Sequence, residues 1–245
     1  TRLEWIISEN WNQQEISQRG KINDFILRKK ILLVGAGCVG ASIAEILVRS
    51  GVYSLTIIDS DIFEVGNLSR HVLNVDDIGG LKGLSLCNYL NSLNPHANVE
   101  VINNALTIDG ELKTNIDLDK YRIIIDCTGE NSVLDIIQSN NFKKRHIFAS
   151  VSVGLGAKRL YITLMNNQTF DFKAFFDLIA PYLQSERVLY NDYDLPRNGI
   201  GCSHPTFPGR SDDVWLAAST ATKAIENYII TESEKTISLV YEQRE

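Results

Sequence analysis

Short runs of apolar residues alternate along this chain with stretches whose apolar positions recur every three or four residues, the pattern of strands alternating with helices. Lys30 to Val34 is an apolar β run, Gly35 to Gly40 a glycine loop, and Ala41 to Arg49 a helix ended at Ser50-Gly51, where glycine supplies the C-cap. Ser54 to Ile58 is the next strand and completes a βαβ unit. The alternation continues with a helix from about Gly80 to Leu93, stopped by Asn94-Pro95, and strands at Asn98 to Ile102 and Arg122 to Ile125. A helix near Asn131 to Asn140 and a strand at His146 to Ala149 follow. Strands alternating with helices predict an α/β fold, Rossmann-like, with a mostly parallel, doubly wound sheet covered on both faces.

The ends of the chain depart from that rhythm. Leu3, Ile6, Ile7, Trp11 and Ile16 have a loose helical spacing, which predicts an N-terminal docking helix over residues 3 to 17. Val151 to Leu164 reads as a β ribbon bent at glycines, and Asp213 to Ile229 as a C-terminal helix. Residues 186 to 212 hold three of the five prolines and read as a long loop, a kind of segment that is usually functional.

Composition narrows the class. At 44% hydrophobic over 245 residues the chain can bury a substantial core. A net charge of -6 without a long Lys or Arg run argues against an electrostatic nucleic-acid footprint or a polybasic membrane patch. No apolar run approaches the ~20 residues that span a bilayer, and the N-terminus lacks a signal-peptide layout, so the expected location is cytoplasmic. Cys38, Cys87, Cys127 and Cys202 are irregularly spaced with no Cys-x-x-Cys pair; reduced thiols are expected, and a structural zinc is not.

The candidate chemistry begins at Gly35-Ala-Gly37-Cys-Val-Gly40, where backbone amides at the positive end of a helix can cradle phosphate. Gly37 lets the backbone approach a ligand, and Gly40 lets helix pack on strand. Asp59 ends the second strand, where a carboxylate can accept both ribose hydroxyls of an adenosine. To this point a dinucleotide and a triphosphate are equally well served. The following stretch, Asp59-Ser-Asp61 through Asn67-Leu-Ser-Arg70 to Gly79-Gly-Leu-Lys82, adds donors and cations that a triphosphate requires and a dinucleotide does not. Asp126 ends an apolar strand at the carboxyl edge of the sheet, and can either ligate magnesium or cap the Asn131 helix. Taken singly, Arg70 is a surface ion pair and Lys82 a solvated helix face.

Together and in this order, the glycine loop, Asp-x-Asp, Asn-x-x-Arg, Gly-x-x-Lys and a later Asp-Cys-Thr resemble the ThiF/MoeB/ubiquitin-activating superfamily over roughly residues 15 to 165. The resemblance implies a single adenylation domain using ATP and Mg2+: an N-terminal helical segment (1–25), a nucleotide-binding core (26–150), and a region for partner tail, crossover loop and dimer contacts (151–245). It implies that Asp59 holds the ribose, Asp61 and Asn67 line the nucleotide site, Arg70 and Lys82 hold phosphates, and Asp126 binds magnesium. The family's arginine finger from a partner's N-terminal helix has no match in residues 11 to 18, with Arg19 the next candidate.

Gly199-Ile-Gly201-Cys202-Ser-His204-Pro resembles the cysteine-bearing crossover loop of bacterial anti-phage fusions of an activating and a ubiquitin-conjugating-like domain. A thiolate there can take an acyl group from an acyl-adenylate, and His204 and Arg210 lie near it in sequence. The expected partners are the C-terminal tail of a ubiquitin-like protein or a signalling nucleotidyltransferase, a conjugating domain, and a second copy of the chain. Rival readings are a sulfur-carrier or peptide-modifying adenylyltransferase without a thioester, a NAD-dependent oxidoreductase, and an inactive partner subunit. His71, His96 and His146 are dispersed, with no catalytic His-Asp pair expected.

Overall fold

A computed structural model describes residues 8–102, 107–108, 111–112, 116–155, 157–189 and 209–243. In chain order the elements are α1 (Gln13–Ser17), α2 (Asp24–Leu27), β1 (Ile31–Val34), α3 (Cys38–Arg49), β2 (Ser54–Ile58), α4 (Lys82–Leu93) and β3 (Asn98–Ile102). A two-stranded hairpin of β4 (Thr107–Ile108) and β5 (Glu111–Leu112) follows. Then come β6 (Ile123–Asp126), α5 (Asn131–Ser139), β7 (His146–Val153), β8 (Arg159–Asn167), α6 (Lys173–Leu189), α7 (Ser211–Ile230) and β9 (Ile237–Glu242).

The main sheet has seven strands in the order β3-β2-β1-β6-β7-β8-β9. Pairings from β3 through β7 are parallel, whereas β7–β8 and β8–β9 are antiparallel. The central strands are buried on both faces, and alternate residues feed two cores. Ile31 and Leu33 of β1 join α3, α4 and α7 in one; Leu32 and Val34 join α5 and α6 in the other. This is the α/β, Rossmann-like, mostly parallel architecture expected, with its C-terminal ribbon and helix.

β1 lies between β2 and β6, so successive crossovers leave it in opposite directions. Such a switch point opens a crevice at the carboxyl ends of the two strands, where open α/β sheets bind ligands. Here that crevice is bounded by Gly35 and Asp126, since Val34 pairs in register with Asp126.

Several expectations change. The α3 helix begins at Cys38 rather than Ala41, because Gly37 in an extended conformation is already its N-cap. Of the expected N-terminal helix, residues 3 to 7 lie outside the described residues; in the remainder, helix is limited to Gln13–Ser17, with Trp11 64% exposed ahead of it. Residues 186 to 189 are not loop: they finish α6, whose buried stripe of Phe175, Ile179 and Glu186 continues to them. Pro181 within the helix and a charged residue in the stripe obscure its helical pattern in the sequence. The ribbon also gains a third strand, β9. A His-Asp pair does occur: His146 Nε2 lies 3.0 Å from Asp119 Oδ1, and its Nδ1 2.6 Å from the Tyr121 carbonyl. It stands where β7 begins, at the edge of the sheet away from the crevice, and ties β7 to the turn before β6.

Candidate active site

The glycine loop turns sharply after β1, with Gly35 at φ +92°. A Cβ on Gly35 would meet Thr128 Cγ2 at 3.0 Å, and one on Gly40 would lie 2.1 Å from the Gly35 carbonyl oxygen. Gly40 therefore lets helix α3 close onto its own loop and onto Cys127 after β6, a closer fit than the helix-on-strand packing expected. A Cβ on Gly37 would meet nothing within 4 Å, so its backbone is open to an approaching group, and as N-cap it offers no side chain to the first amides of α3.

Asp59 braces this loop from β2. Its Oδ2 accepts from the Ala36 amide at 2.6 Å and its Oδ1 from the Asp61 amide at 2.8 Å. Burial nevertheless raises its carboxyl above the ordinary carboxylate range, against those amides and Lys82. Each oxygen keeps accepting capacity for a hydroxyl.

Lys82 opens α4 and is held by Asp61: its backbone amide donates to the Asp61 carbonyl at 2.8 Å, and its Nζ lies 3.0 Å from Asp61 Oδ2. Asp61 is itself 68% exposed, so the ion pair positions the ammonium rather than adding much stability. Asn67 is buried and caps its own turn, its Oδ1 accepting from Glu64 N at 3.0 Å. Its carbonyl accepts the amides of Arg70 and His71, fixing where those two side chains start. The charges of Arg70 and Lys82 both reach the Cys38 thiol at the head of α3, although burial wins there and raises that thiol overall. Hydrogen bonds through Asp61 and His71 tie the backbone at both cationic residues to the glycine loop.

His71 belongs to the same unit, a role sequence reasoning missed. Its Nδ1 accepts from the Leu73 amide at 3.2 Å, so Nε2 carries the proton and donates to the Ala36 carbonyl at 2.8 Å. Phe63 packs edge-on against the ring. Burial lowers its pKa, and Lys82 and Arg70 add to that, which keeps the imidazole neutral. Ala36 is consequently held by both its amide and its carbonyl. The only sequence signal was adjacency to Arg70.

Asp126 is fully buried and does not cap α5, whose N-cap is Glu130. Its Oδ1 accepts from Thr128 N at 3.1 Å and Thr128 Oγ1 at 2.6 Å; its Oδ2 accepts from Ser150 Oγ at 2.9 Å. Burial raises its carboxyl despite these donors. No group of three or more His, Cys, Asp or Glu able to hold a metal occurs among the described residues. A single carboxylate with unused lone-pair capacity still fits magnesium bound largely by phosphate and water, and a dication would offset the burial cost.

Beyond Asp126, β7, β8 and α6 enclose a cavity of about 150 Å³, lined among others by Ser150, Ser152, Phe175, Phe176 and Leu183. On the other side of the crevice, Gly209, Arg210 and Trp215 share an open depression of about 710 Å³ with Ser69, next to Arg70. Arg210 is engaged by Asp212 through two bonds of 3.0 and 2.8 Å. Arg19 is exposed in the turn after α1. Cys202 and His204 lie outside the described residues.

The switch-point crevice and the glycine loop beside it have the form of a nucleotide-binding site. The chain belongs to the ThiF family, whose model matches residues 8–200. It is 36% identical over 227 residues to the ATP-dependent ubiquitin transferase-like protein Cap2 of Enterobacter hormaechei, covering 91% of this chain and 36% of that one. It is 35% identical over 128 residues to the adenylyltransferase and sulfurtransferase UBA4 of Candida albicans, covering 51% and 28% respectively. The chain therefore spans about a third of the length of these relatives. Among solved structures, Escherichia coli MccB with ATP superposes with a TM-score of 0.61 at 18% identity, over 90% of this chain and 65% of that one. The E. coli tRNA N6-threonylcarbamoyladenosine dehydratase TcdA does so with 0.56 at 19% identity, over 85% and 88%. At these identities the likeness is one of fold.

Proposed function

We propose that this domain binds ATP with Mg2+ and adenylates the C-terminal carboxylate of a polypeptide partner. The observation that carries the reading is a glycine loop braced by Asp59 and His71, with Lys82 and Arg70 anchored beside it through Asp61 and Asn67 and its far side resting on the turn of Asp126. The amides of the loop and the two cations would hold the phosphates, with Asp59 on the ribose and Asp61 and Asn67 shaping the nucleotide wall. Asp126 would hold magnesium, which supplies charge neutralisation at the phosphates. The tail carboxylate attacks the α-phosphorus, the bond to the β-phosphate oxygen breaks, and Arg70 and Lys82 neutralise the departing pyrophosphate. What remains is an acyl-adenylate.

In the second step the Cys202 thiolate attacks the acyl carbon, AMP leaves, and a thioester forms for transfer to a ubiquitin-conjugating-like domain. Two observations favour this cysteine. The described thiols of Cys38, Cys87 and Cys127 are all raised by burial, the last strongly, and so resist ionisation. In addition, Gly209, seven positions after Cys202, lines the depression beside Ser69, within reach for a segment that extends at most ~3.6 Å per residue. The 36% identity to a ubiquitin transferase-like protein supports the tail of a ubiquitin-like protein as substrate; a signalling nucleotidyltransferase as substrate and an anti-phage role rest on the resemblance of the Cys202 loop alone. A second copy is the expected partner of the apolar surface of Ile62, Val65, Val75 and Ile78, each at least 38% exposed beside the nucleotide wall. Arg19 of that copy is the candidate arginine finger.

Trapping the acyl-enzyme tests the second step. Incubated with ATP, Mg2+ and a tail, the protein forms an adduct released by thiol reductant, and Cys202→Ala still makes adenylate but no adduct. A reducible adduct on Cys202→Ala removes this cysteine from the mechanism.

A further inference from the structure

The edge of the sheet opposite the crevice gathers positive charge. Strands β1, β6 and β7 run parallel and in register, with Ile31 beside Ile123 and Ile123 beside Ile147, so the residues that lead into them meet at one edge. Those residues are Lys29-Lys30, Arg122 and Lys143-Lys144-Arg145. They come from three separate stretches, which is why the sequence holds no basic run to report them. Neighbouring strands lie about 4.8 Å apart, which brings the three lead-ins within roughly 10 Å of one another.

Several contacts hold these cations in place. The Arg122 amide donates to the Lys30 carbonyl at 3.0 Å. Its guanidinium donates to the Arg145 carbonyl at 2.9 Å and to Asn166 Oδ1 at 3.4 Å, and Arg145 donates to the Asn166 carbonyl at 2.6 Å. The half-exposed Phe25 ring lies under two of the charges, 4.7 Å from Lys29 Nζ and 5.8 Å from Arg122 Cζ. Among the described residues Arg122 is thus bonded to neutral oxygens, and burial first, then the Arg145 charge, lowers its pKa. Like charges held together without a shared counter-anion repel, and an arriving anion relieves them. The nearby carboxylates do not supply it: Glu234 is paired with Arg145 at 2.7 Å, and Asp119 lies 3.0 Å from His146 and accepts the Lys143 amide at 3.1 Å. Lys30 and Lys144 are exposed and make no ion pair among the described residues.

We infer that this edge is a docking surface for an acidic polypeptide segment that presents a few carboxylates side by side. Its width suits three or four residues of extended chain at ~3.3 Å each. The continuous charge of a nucleic-acid strand or an anionic membrane would instead run onto the flanking carboxylates of Asp119 and Glu234. The surface lies across the sheet from the crevice, so the inference does not depend on the adenylation reading.

A fluorescent ten-residue peptide of alternating Glu and Ser, amidated so that it carries no C-terminal carboxylate for the crevice, tests it by anisotropy. Wild type is expected to bind this peptide more tightly than its Gln counterpart and to release it as salt rises. Lys30→Glu/Lys144→Glu is expected to weaken binding by about tenfold or more at an unchanged melting temperature, and the milder Lys30→Gln/Lys144→Gln by about threefold. Binding no tighter than that of the Gln peptide, or unmoved by both double variants, overturns the surface. Tighter binding of a ten-nucleotide oligouridine or of phosphatidylserine vesicles than of the Glu peptide overturns the polypeptide partner.

Discussion

The two halves of the crevice are built differently. Around β1 and β2 the shape is set by backbone: Gly35 N donates to Ile58 O, Ala36 is held at its amide by Asp59 and at its carbonyl by His71, and Gly40 closes on the Gly35 carbonyl. Around β6, β7 and α6 it is set by side chains: Asp126 with Thr128 and Ser150, Glu186 with Tyr161 and Arg159, and the aromatic wall of α6. A backbone-built surface recognises what every nucleotide shares and tolerates few substitutions. A wall of side chains can vary its shape without disturbing the loop.

This contrast breaks first at Asp126. Asp126→Asn keeps the size and most of the hydrogen bonds, since the Ser150 hydroxyl can turn to accept. Exchange activity is expected to fall by about two orders of magnitude or more, with a melting temperature close to wild type. Asp126→Ala is the poorer probe, because it orphans buried donors at about 1–3 kcal/mol each and confounds activity with folding.

A smaller effect, confined to the half built on side chains, is expected from Glu186→Ala. It removes the acceptor of Tyr161 and the Leu155 amide and loosens α6, costing roughly 1–3 kcal/mol of stability in denaturant melts. ATP affinity measured by calorimetry should hold, because Glu186 bonds to no residue of the glycine-loop half.

The smallest effect belongs to His71, on the backbone-built side. His71→Ala releases the Ala36 carbonyl, with an expected loss of about 1 kcal/mol in ATP binding. His71→Gln, which can still donate there, should recover most of it. Burial holds the folded pKa below the ordinary value of 6.5, so the unfolded chain takes up the proton first. The stability contributed by neutral His71 is complete above about pH 6.5 and is lost as pH falls below it. A melting temperature of His71→Gln that drops as steeply as wild type between pH 7 and 5 would remove His71 as the source.

The same contrast explains what was legible in the sequence. Glycines report backbone geometry directly, so the loop from Gly35 to Gly40, the strand before it and the carboxylate after β2 could be read from spacing alone. Asp61, Asn67, Arg70 and Lys82 stood out in the sequence as donors and cations suited to an anion, and the structure ties Lys82 to Asp61 and Arg70 to Asn67. The side-chain-built half left no such trace. Helix α6 carries its apolar stripe past Pro181 and ends it on Glu186, so the pattern dissolves into what looks like loop, and the partners of Asp126 and His71 are contacts that folding alone brings together.

ATP/pyrophosphate exchange on a free-carboxylate tail, run with and without magnesium, tests the central claim most directly. Magnesium-dependent exchange, lost in Asp126→Asn, is the predicted result. No exchange with any tail, together with tight NAD binding by the same protein, would contradict it and give the glycine loop to a dinucleotide.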